Sequence, residues 1–300
     1  MKKFGFLSLA IFLLFGFTPH ASANESVITL VSKPHQLFDG TFLNDDLAKD
    51  LSPVGSLGRA VEKKRTGART WVIDAALLDE VADMANGYLL KSELAPTGEL
   101  IAKEWLARLL LATSGDRIIA LPYGNPDERL LKSIAPSELK FYSLYAQTQL
   151  QESLRRPVIA QNGWGKGTSR LGNEFIYSYT KNRRMLTGLS TIISSDEIFK
   201  ARARLAIVMN PLLTREDRAY FSYNAHMAVD KLANRLKVIP GRYQITSKSV
   251  KLPITLVNNF DTASVVSVSL IPMNSRMQVE NINNITIAAK SRQQILVPVD

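Results

Sequence analysis

Across its 300 residues the chain carries 37 Lys and Arg against 27 Asp and Glu, a formal net charge of +10, and no cysteine. That length admits one domain of about 200 residues and a smaller companion. The lack of cysteine excludes a disulfide framework and a lipoprotein-type cleavage site.

Met1-Lys2-Lys3, the apolar run Phe4–Phe17 and the small residues Ala21-Ser22-Ala23 predict a secretory signal peptide over residues 1–23. Past it, no run approaches the roughly 18 apolar residues of a membrane helix. The chain is therefore expected to be exported and envelope-associated. Cleavage removes Lys2 and Lys3 but no acid, leaving 35 basic against 27 acidic residues, a net +8. For an exported protein, such a charge favours wall polymers, acidic glycans or anionic lipid headgroups as partners, and nucleic acid is not expected.

Residues 24–239 alternate short apolar runs with helical patterns. Strands are predicted at Val27–Val31, Thr70–Ile73, Arg117–Leu121, Val158–Gln161, Leu189–Ile193 and Leu205–Met209. The alternation predicts an α/β domain with a mainly parallel sheet, closed as an incomplete or distorted barrel. Asp74 stands where a helix N-cap belongs, followed by Leu77, Leu78, Val81 and Met84 on one face and by the stop Asn86-Gly87. In NPDERLL, Asn125 is expected to cap and Pro126 to take the first helical position. Thr214–Leu236 reads as the last helix of this part, with Phe221, Ala225, Ala228, Val229 and Leu232 along one side.

Near Pro240-Gly241 helical periodicity ends. Residues 240–300 are rich in Val, Ile, Thr, Ser and Asn, and Val266, Val268 and Leu270 alternate with Ser267 and Ser269. Two β runs joined through Asn258-Asn259-Phe260-Asp261, with further strands near Arg276–Val279, Ile285–Ala288 and Gln294–Val299, predict a small β-sandwich. The sequence stops at Asp300 directly after a strand, which fits a small or shortened sandwich.

LNDDLAKDLSPVGSLGR, TWVIDAALLDEVADMANGY, the LPYGNPD turn and VIPGRYQITSKSVKLPITLVNNFDTASVVSVSLIPMN together resemble the secreted bacterial domain-of-unknown-function 6049 family. The resemblance implies a barrel-like α/β domain similar in outline to glycoside hydrolases and polysaccharide deacetylases, followed by a β-sandwich. It also implies an envelope-exposed protein whose relatives' genes tend to accompany those for peptidoglycan-precursor export. Longer members carry a further β module and a membrane anchor, neither expected here.

Parallel strands gather their following turns at one end, where α/β folds bind ligands and do chemistry. Asp74 and Asp127 both follow strands and are the candidate catalytic pair, since glycosidases place two carboxylates about one bond. The competing explanation is that Asp74 caps its helix and Asp127 complements the positive end of the next. Gln161-Asn162-Gly163-Trp164-Gly165-Lys166-Gly167 sets an aromatic among glycines after a strand. Trp164 is the candidate sugar platform, with Gln161 and Asn162 orienting hydroxyls and Tyr123 lining the same mouth. The alternative tucks Trp164 against the rim. Lys166-Gly167 departs from a phosphate-binding loop, which needs Ser or Thr after the lysine.

After residue 23 only His35 and His226 remain, in no metal-binding pattern, and Asp74 is followed by Ala75 where deacetylases usually pair aspartates. No metal and no cofactor are expected. GSLG at 55–58 lacks the nucleophile-elbow spacing. Basic clusters at Lys63-Lys64-Arg65, at Lys181 with Arg183-Arg184, and at Lys200, Arg202 and Arg204 are expected as solvated faces, and they are the surfaces best suited to an anionic envelope polymer or membrane surface. The leading expectation is a non-catalytic binder or scaffold for cell-wall glycan or envelope partners, including an envelope protein held by the sandwich. The alternative is a glycan hydrolase using Asp74 and Asp127.

Overall fold

The structure, a computed structural model, describes residues 26–64, 67–92, 94–165, 167, 170–239, 241, 243, 249–272 and 278–299. The expected signal peptide lies outside the described residues, as do Pro240 and part of the expected strand at Arg276–Val279.

Four strands, β1 (Ser26–Leu30), β2 (Arg69–Ile73), β3 (Arg117–Ala120) and β4 (Ile159–Ala160), form a parallel sheet in chain order. All five residues of β2 are buried, as expected of a parallel strand covered on both faces. The period of two divides the side chains. Ile28, Leu30, Trp71, Ile73, Ile118 and Ala120 join the main core, whereas Val72, Ile119 and Leu121 form a small cluster with Val31 on the other face. At the amino end of β2, Asp116 accepts from Arg69 Nε at 2.8 Å and from the Trp71 indole N–H at 2.9 Å.

The helices are α1 (Asp46–Leu51), α2 (Ser56–Glu62), α3 (Ala75–Ala85), α4 (Glu99–Ala112), α5 (Glu128–Ile134), α6 (Pro136–Leu154), α7 (Asn173–Ile192), α8 (Asp196–Arg204) and α9 (Arg215–Ala233). α3 has the expected buried face and ends at Asn86, followed by Gly87 at φ +94°. α9 starts from Thr214, whose side chain accepts from Asp217 N.

Two predicted strands are corrected. Leu189–Ile193 is the end of α7 and its cap, and Leu205–Met209 is a 3₁₀ helix following α8. Every residue of that 3₁₀ helix is buried, and short, fully apolar runs do not distinguish strand from helix by periodicity. Without those strands the parallel sheet ends at edges β1 and β4 rather than closing as the expected barrel.

The carboxyl-terminal part contains β5 (Leu236–Ile239), β6 (Val250–Asn258), β7 (Ser264–Val268), β8 (Ile282–Ile287) and β9 (Ser291–Val299). Two antiparallel sheets, β5-β6-β9 and β7-β8, share a core of Ile254, Leu256, Ile285, Ile287 and Val297. Phe260, in the β6–β7 connection, instead joins the main core beneath the Arg235 guanidinium, 4.3 Å from its ring centroid. Asn259 N donates to Arg235 O at 2.8 Å, so backbone and side chain together fasten this turn to the end of α9.

Candidate functional site

β2 delivers Asp74 to the carboxyl end of the parallel sheet. There its Oδ1 accepts from Ala76 N at 3.0 Å, capping α3, and from Gly124 N at 2.8 Å. One oxygen thus joins the turns after β2 and β3. Gly124 has φ +75°, and a Cβ there would lie 3.0 Å from the Ile207 nitrogen, so this approach requires glycine.

The 3₁₀ segment closes over these turns. Asn210 Nδ2 donates to Gly124 O at 2.9 Å, and Asp127 N donates to Met209 O at 2.9 Å. The buried Arg218 guanidinium donates to the carbonyls of Val208, Asn210 and Leu213. The end of the sheet where a ligand would enter is therefore occupied by residues 205–213. Asp74 is 3% exposed, and with Glu80 and Ile207 it lines a cavity of about 10 Å³. That is about the space of one water molecule.

Burial pushes the Asp74 carboxyl up to about 7, against the pull of its two backbone hydrogen bonds. Burial likewise pushes Glu80 up to about 8, against Arg204 and the backbone N–H groups of His35 and Gln36. Desolvation disfavours the charged form of both.

Asp127 is also buried and caps α5, accepting from Leu130 N at 3.0 Å. The cap expected at Asn125 is thus corrected to Asp127. Asn125 adopts φ +44° and Pro126 precedes the helix, because the chain needs this turn to bring Asp127 N to Met209. Tyr123 is fully buried rather than set at an open mouth. Its hydroxyl donates to Asp79 at 2.7 Å, and its ring meets Tyr145 edge-on.

The glycine-rich loop after β4 stands apart. Glu128 accepts from Gly163 N at 2.7 Å and from Gly165 N at 3.3 Å, and the Lys132 ammonium lies 3.8 Å away. A Cβ on Gly165 would meet Glu128 Oε1 at 3.0 Å and Asn125 Oδ1 at 3.2 Å, which explains the small residue beside Trp164. Trp164 itself is 37% exposed. Asn162 Oδ1 accepts from Ser143 Oγ at 2.9 Å, and Gln161 Oε1 from Arg117 at 3.4 Å. Glu128, Arg129, Lys132, Gly163, Gly165 and Gly167 line a groove of about 690 Å³. Sequence reading missed Glu128, although an acid directly after Asp127 and a loop rich in unpaired amides were both visible.

Among the described residues no group of three or more His, Asp or Glu side chains could hold a metal ion. His35 is buried, its Nε2 is 3.1 Å from Ser32 Oγ, and burial lowers it to about 4. His226 lies between Asn182 and Asp230 on the helices. Glu174 is exposed and pairs with Arg215 at 3.3 Å.

The chain is thus a mixed α/β protein, an open parallel sheet with helices followed by two small antiparallel sheets. Residues 174–300 match a family described as "Family of unknown function (DUF6049)", the same family that the sequence resemblance pointed to. The match begins at α7, so LNDDLAKDLSPVGSLGR, TWVIDAALLDEVADMANGY and LPYGNPD lie before it. No curated protein matches the chain.

Proposed function

We propose that this is an exported, envelope-associated protein that binds an anionic cell-wall glycan at the loop 161–167 without cleaving it. The observation that carries the reading is the contrast between the two candidate places. Asp74 and Asp127 each cap a helix, and Asp74 meets a space of one water beneath the 3₁₀ segment. A glycosidase needs both carboxylates facing a bond, with room for a sugar between them. Trp164, by contrast, is exposed on a loop whose backbone is held by Glu128, with the cations of Arg129 and Lys132 beside it.

An indole offers an apolar face on which a sugar ring can stack, and adjacent cations suit an acidic polymer. Fixing the loop in advance reduces the entropy lost on binding. The signal peptide and net basic charge read from the sequence support an envelope location and an anionic partner.

The test is co-sedimentation of the purified chain with peptidoglycan carrying its anionic polymers, with released sugar measured in parallel. The expected result is retention without release, weakened about tenfold by Trp164→Ala with an unchanged melting temperature. Sugar release abolished by Asp74→Asn would overturn the reading in favour of a hydrolase.

A further inference from the structure

Among the described residues no helix is long and apolar enough to cross a membrane, yet α7 has two contrasting faces. Tyr179, Asn182, Leu186 and Leu189 are buried, and the helix packs against α8, α9, the 3₁₀ segment and β7. On the opposite side Tyr177, Lys181, Arg184, Met185, Gly188 and Ile192 recur at spacings of one helical turn and line a shallow groove of about 530 Å³. Tyr177 is 73% and Met185 45% exposed. No carboxylate lines this groove, and neither Lys181 nor Arg184 forms an ion pair among the described residues. The acid of α7, Glu174, lies before the groove and pairs with Arg215.

We infer that the outer face of α7 is a docking surface for an anionic lipid bilayer. The choice of occupant follows from the mixture of side chains. A hydrophilic anionic polymer would satisfy Lys181 and Arg184 but leave Tyr177 and Met185 in water. An anionic lipid interface accepts both, with the apolar groups at the headgroup boundary and the cations reaching the phosphates. The 20 residues of α7 extend about 30 Å, so a helix lying flat presents the whole row at once. This surface is separate from the loop proposed to bind glycan.

Gly188 provides a clean probe. A Cβ there would meet nothing within 4 Å, and glycine is a poor residue for a helix interior. Gly188→Glu therefore places a negative charge on the docking face without disturbing the fold.

The experiment uses the chain from residue 24, which retains every described residue and removes the apolar leader. It is sedimented with vesicles of phosphatidylcholine alone or with phosphatidylglycerol at about a third of the lipid. The expected result is binding to the anionic vesicles only. Each cation near such a surface is worth about fivefold in partitioning, so Lys181→Gln with Arg184→Gln lowers binding about 25-fold. Gly188→Glu lowers it severalfold, and so does Tyr177→Ser with Met185→Ser. All three variants keep the parent's melting temperature, and Trp164→Ala leaves lipid binding unchanged.

Equal binding to neutral vesicles, or anionic binding indifferent to Gly188→Glu and to the paired cation variant, would overturn the inference. So would retention by soluble polyglutamate as strong as by vesicles and insensitive to the Tyr177 and Met185 changes, because the surface would then recognise an acidic polymer.

Discussion

Replacing Asp74 with Asn separates the charge of this side chain from its hydrogen bonds. In the folded protein the carboxyl titrates near 7, against 3.8 for a free aspartate, because burial disfavours its ionised form. Between those two values the unfolded chain has released a proton that the folded chain still holds, so raising the pH favours unfolding. The stability present below about pH 4 is lost as the pH rises through 7, by on the order of 4 kcal/mol for this one group. Asn retains an oxygen where Oδ1 accepts from Ala76 N and Gly124 N, and it carries no charge. Asp74→Asn should match the parent near pH 4 and exceed it by up to about 4 kcal/mol at pH 8, measured by denaturant unfolding across that range. Glu80 also titrates in this region, but it is present in both proteins, so the comparison removes all of its contribution except its coupling to Asp74. Asp74→Ala should lose both acceptors at a cost of about 2–4 kcal/mol near pH 4, a deficit that shrinks as the pH rises through 7 because Ala, like Asn, removes the buried charge. A parent more stable than Asp74→Asn at pH 8, with the deficit growing as pH rises, would refute the argument by showing that the ionised carboxylate is what the fold requires.

Two further perturbations address the loop and the closed end of the sheet. Glu128→Ala removes the acceptor of the Gly163 and Gly165 amides, and it should speed limited proteolysis within residues 161–167 severalfold and weaken glycan retention in parallel. Unchanged cleavage would mean that the loop is held by other contacts. Arg218→Met withdraws the donor from the carbonyls of Val208, Asn210 and Leu213 and should destabilise the chain by about 3 kcal/mol. Hydrogen exchange should report faster exchange across residues 205–213, and protection equal to the parent's would show that Arg218 does not hold the segment.

Much of the fold was legible because local chemistry and tertiary position agree. The apolar runs of β1, β2 and β3 are parallel strands, β2 buried throughout, and the carboxylate of Asp74 takes the capping position that its place before Ala75-Ala76-Leu77 indicated. Thr214 and Asn86 mark their helix ends for the same reason. Leu205–Met209 was not legible as a helix, since five consecutive apolar residues have no polar face to betray their period, and its geometry depends on Arg218, Asn210 and Gly124. The same dependence hid the burial of Tyr123, whose partner Asp79 lies 44 residues away in the chain. Trp164 was visible as a candidate from its glycines, whereas Glu128 could be assigned only once helix and loop were placed together.

The closed end of the sheet also bears on where recognition can occur. In an α/β protein the default ligand position is the crevice beyond the carboxyl ends of the strands. Here the 3₁₀ segment fills that crevice, and the buried Arg218 fixes the segment through three carbonyls. Opening it would leave those carbonyls and the Arg218 cation without their partners, a cost of several kcal/mol that a weakly bound sugar does not offset. A ligand is therefore better accommodated at the periphery, where side chains are already exposed. Trp164 and the outer face of α7 satisfy that condition, and Gly172 caps α7 only a few residues beyond the glycine-rich loop. One stretch of chain thus carries both proposed contacts, and a protein engaging polymer through the first and lipid through the second would hold the wall polymer within about one helix length, ~30 Å, of the bilayer.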